Sequence, residues 1–99
     1  MAQNTQVVFG KRAKISIENN AIYIEEKGYP ETADKLAQRL TDFGYSLSDL
    51  PDKYPLCRFK RFAWHKFHCA TFERNHIFVY KMVKNELLIY NIIHSKRLK

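Results

Sequence analysis

The stretch from His65 to His94 most narrows what this chain can fold into. Three runs rich in β-branched and aromatic residues, HKFHCATFE, HIFVYKMV and ELLIYNIIH, follow one another with only Arg74-Asn75 and Lys84-Asn85 between them. This spacing predicts antiparallel strands joined by tight hairpins, with Asn at the left-handed positions that a two-residue turn needs. The later two runs are apolar on both sides: Ile77 and Val79 alternate with Phe78 and Tyr80, and Leu87 and Ile89 with Leu88 and Tyr90. A sheet built from them cannot leave a whole face to water. One face is expected to take helices. The other should be partly covered or serve as a binding surface.

The covering helices are legible upstream. Gln6 to Phe9, closed by Gly10, reads as a first strand. From about Ala13 to Lys27, Ala13, Ile17, Ala21, Ile24 and Gly28 recur at helical steps, with Ile15 and Ile22 widening the stripe. Gly28 is a natural stop, and Pro30 suits the first turn of a second helix. That helix carries Ala33, Leu36, Ala37, Leu40, Phe43 and Gly44 as a narrow stripe. The two form a helical hairpin. Turn formers from Tyr45 to Cys57 predict a loop, and CRFKRFAWHKFH interleaves basic and aromatic residues with crude alternation. The expected class is therefore α+β in the order β-α-α-β-β-β. The hairpin should lie on one face of a mainly antiparallel sheet, burying Leu36, Leu40 and Phe43 against Val79, Leu87 or Ile89.

Ninety-nine residues, 45% hydrophobic and 14% aromatic, suit one domain (1–99) with a single core. No run approaches the roughly 18–20 apolar residues of a membrane span. Met1 to Gly10 has neither a long apolar stretch nor an early basic cluster, so no secretory leader is expected. Cys57 and Cys69 form no CxxC pair and no framework, and are expected to be reduced thiols in a cytoplasmic protein. Charge is lopsided. Residues 1–51 hold 6 Lys/Arg against 7 Asp/Glu, net −1, and residues 52–99 hold 11 against 3, net +8. One electropositive face is implied, with nucleic acid or an acidic protein as its partner.

The order of elements, AIYIEEKGYPETADKLAQRL in the hairpin, HIFVYKMVKNELLIYNIIHSKR in the paired strands and the basic ending resemble the RelE/ParE superfamily of bacterial type II toxins. The resemblance spans Val7 to Leu98. It implies a RelE-like sheet, a cytoplasmic toxin, a cognate antitoxin that neutralises it, and no cofactor, metal, small-molecule ligand or membrane partner. It implies one of two targets. RelE-like toxins cut messenger RNA on the ribosome, without a metal. ParE-like toxins poison DNA gyrase.

On that alignment Ile77 falls where the nuclease branch carries an arginine, and His68 and Ala70 fall where RelE has two lysines. Arg97 lies near the arginine after the last strand, and the C-terminal tyrosine has no counterpart. This favours the non-nuclease branch. The rival is an endonuclease in which His68 is a general base, with Arg61, His94 and Arg97 completing the site. Arg58, Lys60, Lys66, Lys96 and Lys99 would then bind nucleic acid or partner, with aromatics between them stacking on bases. A third reading is a nucleic-acid-binding module without toxicity. Each residue also has a structural role to weigh: a surface strand histidine, a strand-capping His94, cations whose stems cover a core. His65, His68, Cys69 and His76 fit no standard zinc spacing.

Overall fold

The computed structural model describes residues 5–49 and 51–94. The elements run β1 (Gln6–Phe9), α1 (Lys11–Glu26), α2 (Pro30–Ser46), α3 (Lys60–Ala63), β2 (His68–Phe72), β3 (His76–Val83) and β4 (Glu86–His94). The expected α+β class and element order hold, with the short α3 added.

The four strands form one sheet in the order β1-β4-β3-β2. The β2–β3 and β3–β4 pairs are antiparallel hairpins. β1 pairs parallel with the first half of β4, Gln6 opposite Glu86 and Phe9 opposite Ile89. The left-handed residues in the hairpins are Glu73 (φ 51°), Arg74 (φ 67°) and Lys84 (φ 58°), not the expected asparagines. β4 carries a bulge: Val79 faces Asn91 and Tyr80 faces Ile89, so Tyr90 is the extra residue.

The hairpin of helices forms as its punctuation dictates. Gly28 sits at φ 94°, where a side chain would be strained. Its N–H donates to the Glu25 carbonyl (2.9 Å) and the Tyr29 N–H to the Ile24 carbonyl (3.2 Å). These bonds satisfy the last carbonyls of α1. Pro30 then opens α2 with its missing N–H at no cost. Ala13, Leu36 and Leu40 are buried against Phe78, Tyr80, Leu87, Ile89 and Ile92. Phe43 is partly buried in the same core, stacked on Phe72 at 4.6 Å and edge-on to Phe78 at 4.9 Å. Val79 is not part of that layer. It points to the opposite face of the sheet, as strand alternation demands. Ile15 and Ile22, which were expected to widen the α1 stripe, are exposed.

That opposite face carries a second core. The chain from Cys57 to Phe67 folds over it as an arm, burying Cys57, Phe62 and Phe67 on Val79, with Phe59, Cys69, Ile77, Tyr90 and Ile93 at the margin. The arm leaves and rejoins β2 through the bonds Cys57 N–H to Phe67 carbonyl (2.9 Å) and Cys69 N–H to Pro55 carbonyl (3.2 Å). α3 is one turn, and Phe62, its one aromatic, is buried from it. The crude alternation of this segment is therefore not strand-forming, and β2 begins only at His68.

The two cysteines correct the sequence reading. Cys57 and Cys69 are joined in a disulfide, not held as reduced thiols. The antiparallel bridge between Leu56 and His68 brings the two chain segments side by side and sets the sulfurs in reach of each other. Cys69 is thereby removed from any metal-ligating role.

Candidate functional site

β1 covers β4 only as far as Ile89, so residues 90–94 of β4 run on beside α1 with no strand partner on that side among the described residues. Here Asn91 does structural work. Its Oδ1 accepts from Ser16 Oγ at 3.0 Å and from the Ile92 N–H at 2.8 Å. The side chain thus ties α1 to β4 and occupies a backbone donor of the open edge.

Between α1, this end of β4 and the arm lie two adjoining depressions that share Arg61 and Asn91. The larger is about 830 Å³ and is lined by Ser16, Asn20, Tyr23, Glu26, Arg61 and His94 among others. The smaller, about 350 Å³, is lined by Arg12, Arg61, Phe62, His65, Phe67 and Tyr90, with no carboxylate among the described residues. The Arg12 guanidinium lies 5.9 Å from the Tyr90 ring centroid, and that of Arg61 lies 4.7 Å from Phe62. Both cations lie within cation–π distance of an aromatic face, a contact that holds a guanidinium in place and does not use its N–H donors. Two arginines in a cleft without an acid make an anion-accepting surface.

Of the sequence candidates, Arg61 and His94 line this groove together. His68 lines neither depression. It lies on β2, paired with Tyr80, whereas His94 pairs with His76. Two strand spacings across and four residues along separate them by well over 10 Å, about 10 Å in one direction and about 13 Å in the other. His68 Nδ1–H donates to the Tyr54 carbonyl at 2.7 Å, and its ring stacks on Tyr80 at 5.4 Å. That bond fixes the orientation of the ring. Arg58, Lys60 and Lys66 are exposed on the arm. Lys96, Arg97 and Lys99 lie outside the described residues. Ile77 and Ala70, at positions where the resemblance put nuclease cations, are packed in the two cores.

Two groups near the groove and the loop titrate abnormally. His76 is buried, its Nδ1 has no hydrogen-bond partner among the described residues, and its ring meets His94 edge-on at 5.7 Å. Burial first, then the neighbouring His94, hold its pKa below the ordinary value, with Glu73 opposing and Arg39 adding to the depression. Tyr80, buried and donating to the Pro51 carbonyl at 2.6 Å, is pushed up to about 12 by burial and then by Tyr54 and Asp52. It is a fixed donor at neutral pH, not an acid.

Arg12 was not among the sequence candidates because it sits in the electroneutral half. Only the packing of α1 across β4 brings it to Tyr90. The signal that exists is the KRAK opening of α1, with no acidic residue in its first turn.

No protein-family model matches the chain, and no curated protein matches it significantly. Among solved structures, a chain of the chromosomal ParDE TA system from P. aeruginosa has the same fold, with a TM-score of 0.78 at 14% identity over 94% of this chain and 98% of that one. The fold is thus shared with that chain over nearly the whole length of both. Among the described residues no helix is long and apolar enough to cross a membrane.

Proposed function

We propose that this chain is the toxin of a type II toxin–antitoxin module, arresting growth from the cytoplasm and neutralised by a cognate antitoxin. The end-to-end likeness to a ParDE chain carries this reading. The α1–β4–arm groove is the antitoxin's seat. It offers Arg12 and Arg61 for acidic residues and the exposed Ile22 and Tyr23 for apolar ones. Association should therefore slow as ionic strength rises. Equal rates at low and high salt would count against charge steering.

The target is gyrase, by the ParE-like route. Ile77 and Ala70 are packed where a nuclease needs cations, and His68 lies far from Arg61 and His94. An mRNA endonuclease built on His68, Arg61, His94 and Arg97 would need these groups on one phosphate. Induced expression decides the matter. Growth arrest with a DNA-damage response, relieved by co-expression of a small acidic antitoxin if one is encoded beside the gene, is the expected result. Primer extension on ribosome-bound message should show no cleavage. Cleavage lost in His68→Ala would replace the gyrase reading with the endonuclease, and no arrest at all would remove the toxin reading.

A further inference from the structure

Trp64 is 81% exposed, the largest exposure of any large hydrophobic side chain among the described residues. It is not on a loose loop. Its N–H donates to the Lys60 carbonyl at 2.9 Å, and the Lys66 N–H donates to the Ala63 carbonyl at 2.9 Å. Phe62 and Phe67, on either side of it in sequence, are buried in the second core, and the Cys57–Cys69 disulfide ties the ends of the arm. The indole is therefore presented to solvent from a fixed backbone, so little ordering entropy is left to lose on binding.

Its surroundings are cationic. Helical spacing sets Lys60 and Arg61 one turn below Trp64 on the same side. His65 and Lys66 follow it, both exposed. Residues 53–72 hold five Lys/Arg and no Asp/Glu. Lys81 extends the patch from β3, its Nζ 4.8 Å from the Phe67 ring centroid and 3.4 Å from the His65 carbonyl.

We propose that the arm is a docking site for single-stranded nucleic acid, with Trp64 stacking on an unpaired base and Lys60, Arg61 and Lys66 meeting the adjoining phosphates. A protein hot spot would need apolar neighbours that exclude water around the indole. Sequence and helical spacing place cations and a histidine beside Trp64 instead, the combination of stacking platform and phosphate contacts that single strands use. A duplex hides its base faces and would leave the indole without a partner. The site shares Arg61 with the proposed antitoxin seat, but its test does not rest on the toxin reading, because it concerns binding by the purified protein whatever its target in the cell.

Trp64 is the chain's single tryptophan, so its fluorescence reports the site directly. Titrating the intact, oxidised protein with short oligo-U or oligo-dT should quench it saturably, and the two oligomers distinguish RNA from DNA as the natural strand. Three phosphate contacts predict a slope of about −2 for the logarithm of affinity against that of salt. With a labelled oligomer read by anisotropy, Trp64→Ala should bind about ten-fold more weakly, and Trp64→Phe should recover most of the loss. Absence of quenching overturns the proposal, as does undiminished binding by Trp64→Ala. A polyglutamate peptide that quenches Trp64 as tightly as the oligomers would reassign the arm to an acidic protein. Duplex bound as tightly as single strand would reduce it to bare electrostatics. If Trp64→Ala failed to fold by circular dichroism, the wild-type titration and Trp64→Phe would still decide.

Discussion

On one face of the sheet, two helices of 16 and 17 residues bury a periodic stripe. On the other, a short excursion of irregular chain buries a few aromatics and is closed by a disulfide. The first face is closed by area alone: Leu40, Phe78, Tyr80, Leu87 and Ile89 are fully buried there. The second has too little helix to close itself. A covalent tie does part of that work, leaving the outward side chains of the arm free to be cations and an exposed indole. The helical face therefore looks built for stability, and the arm face for presentation.

The helical face is expected to carry most of the stability. Leu40→Ala should cost about 2–5 kcal/mol, read as a lower denaturation midpoint with little change in slope. A cost below about 1 kcal/mol would mean that the helices do not carry the fold.

Next in size is the disulfide. Chain entropy for a loop of this length corresponds to about 3 kcal/mol. Reduction, or Cys57→Ala with Cys69→Ala, should lower stability by about that much. Hydrogen exchange should show the loss in the arm, with α1 and α2 still protected. Uniform loss across the molecule would show the two faces to be one cooperative unit. In a reducing compartment the bond is expected to be labile, so the arm would be the part of the molecule most sensitive to its surroundings.

The difference between the faces also explains what could be read from the sequence. Leu36, Leu40 and the Gly28-Tyr29-Pro30 break announced the hairpin because helix period and punctuation are local signals. The strands from His76 to His94 were equally plain. Phe62 and Phe67 were not, because a single helical turn has no period to detect and its basic-aromatic text mimics alternation. The disulfide was hidden because two cysteines twelve apart carry no pairing information without the Leu56–His68 bridge. In the groove, Arg61 and His94 were legible as chemistry. Their separation from His68, and the arrival of Arg12, depend on strand register and helix packing that no local pattern records.

A smaller effect sharpens the helical face. A Cβ on Gly44 would lie 2.5 Å from Phe9 Cζ and 2.9 Å from Ile89 Cδ1. Gly44→Ala gains up to about 1 kcal/mol of helix propensity. The overlap with a ring already packed edge-on to Tyr45 at 5.3 Å should cost about 1–3 kcal/mol. Net destabilisation in a chemical melt is expected. A stabilised variant would mean that β1 yields, and that the helical face is less tightly closed than the comparison holds.

The smallest effect lies where the β2–β3 hairpin meets α2. The Arg39 guanidinium reaches Glu73 in the β2–β3 turn at 2.9 and 3.2 Å, with both side chains nearly half exposed. Such a pair is worth about 0.2–1 kcal/mol and should fade in high salt. Its larger consequence is for His76, whose charged form Glu73 favours and Arg39 opposes. With the folded pKa of His76 depressed, the unfolded chain takes up its proton first as pH falls. The stability tied to neutral His76 is complete above the ordinary value of 6.5 and declines below it until the folded pKa is passed. Melting temperatures between neutral and mildly acidic pH should thus fall in the wild type and fall less in His76→Gln. Glu73→Gln should depress the pKa of His76 further and extend the decline to lower pH. An unchanged acid limb in both variants would remove His76 from the pH response and leave the Arg39–Glu73 contact as no more than a surface ion pair.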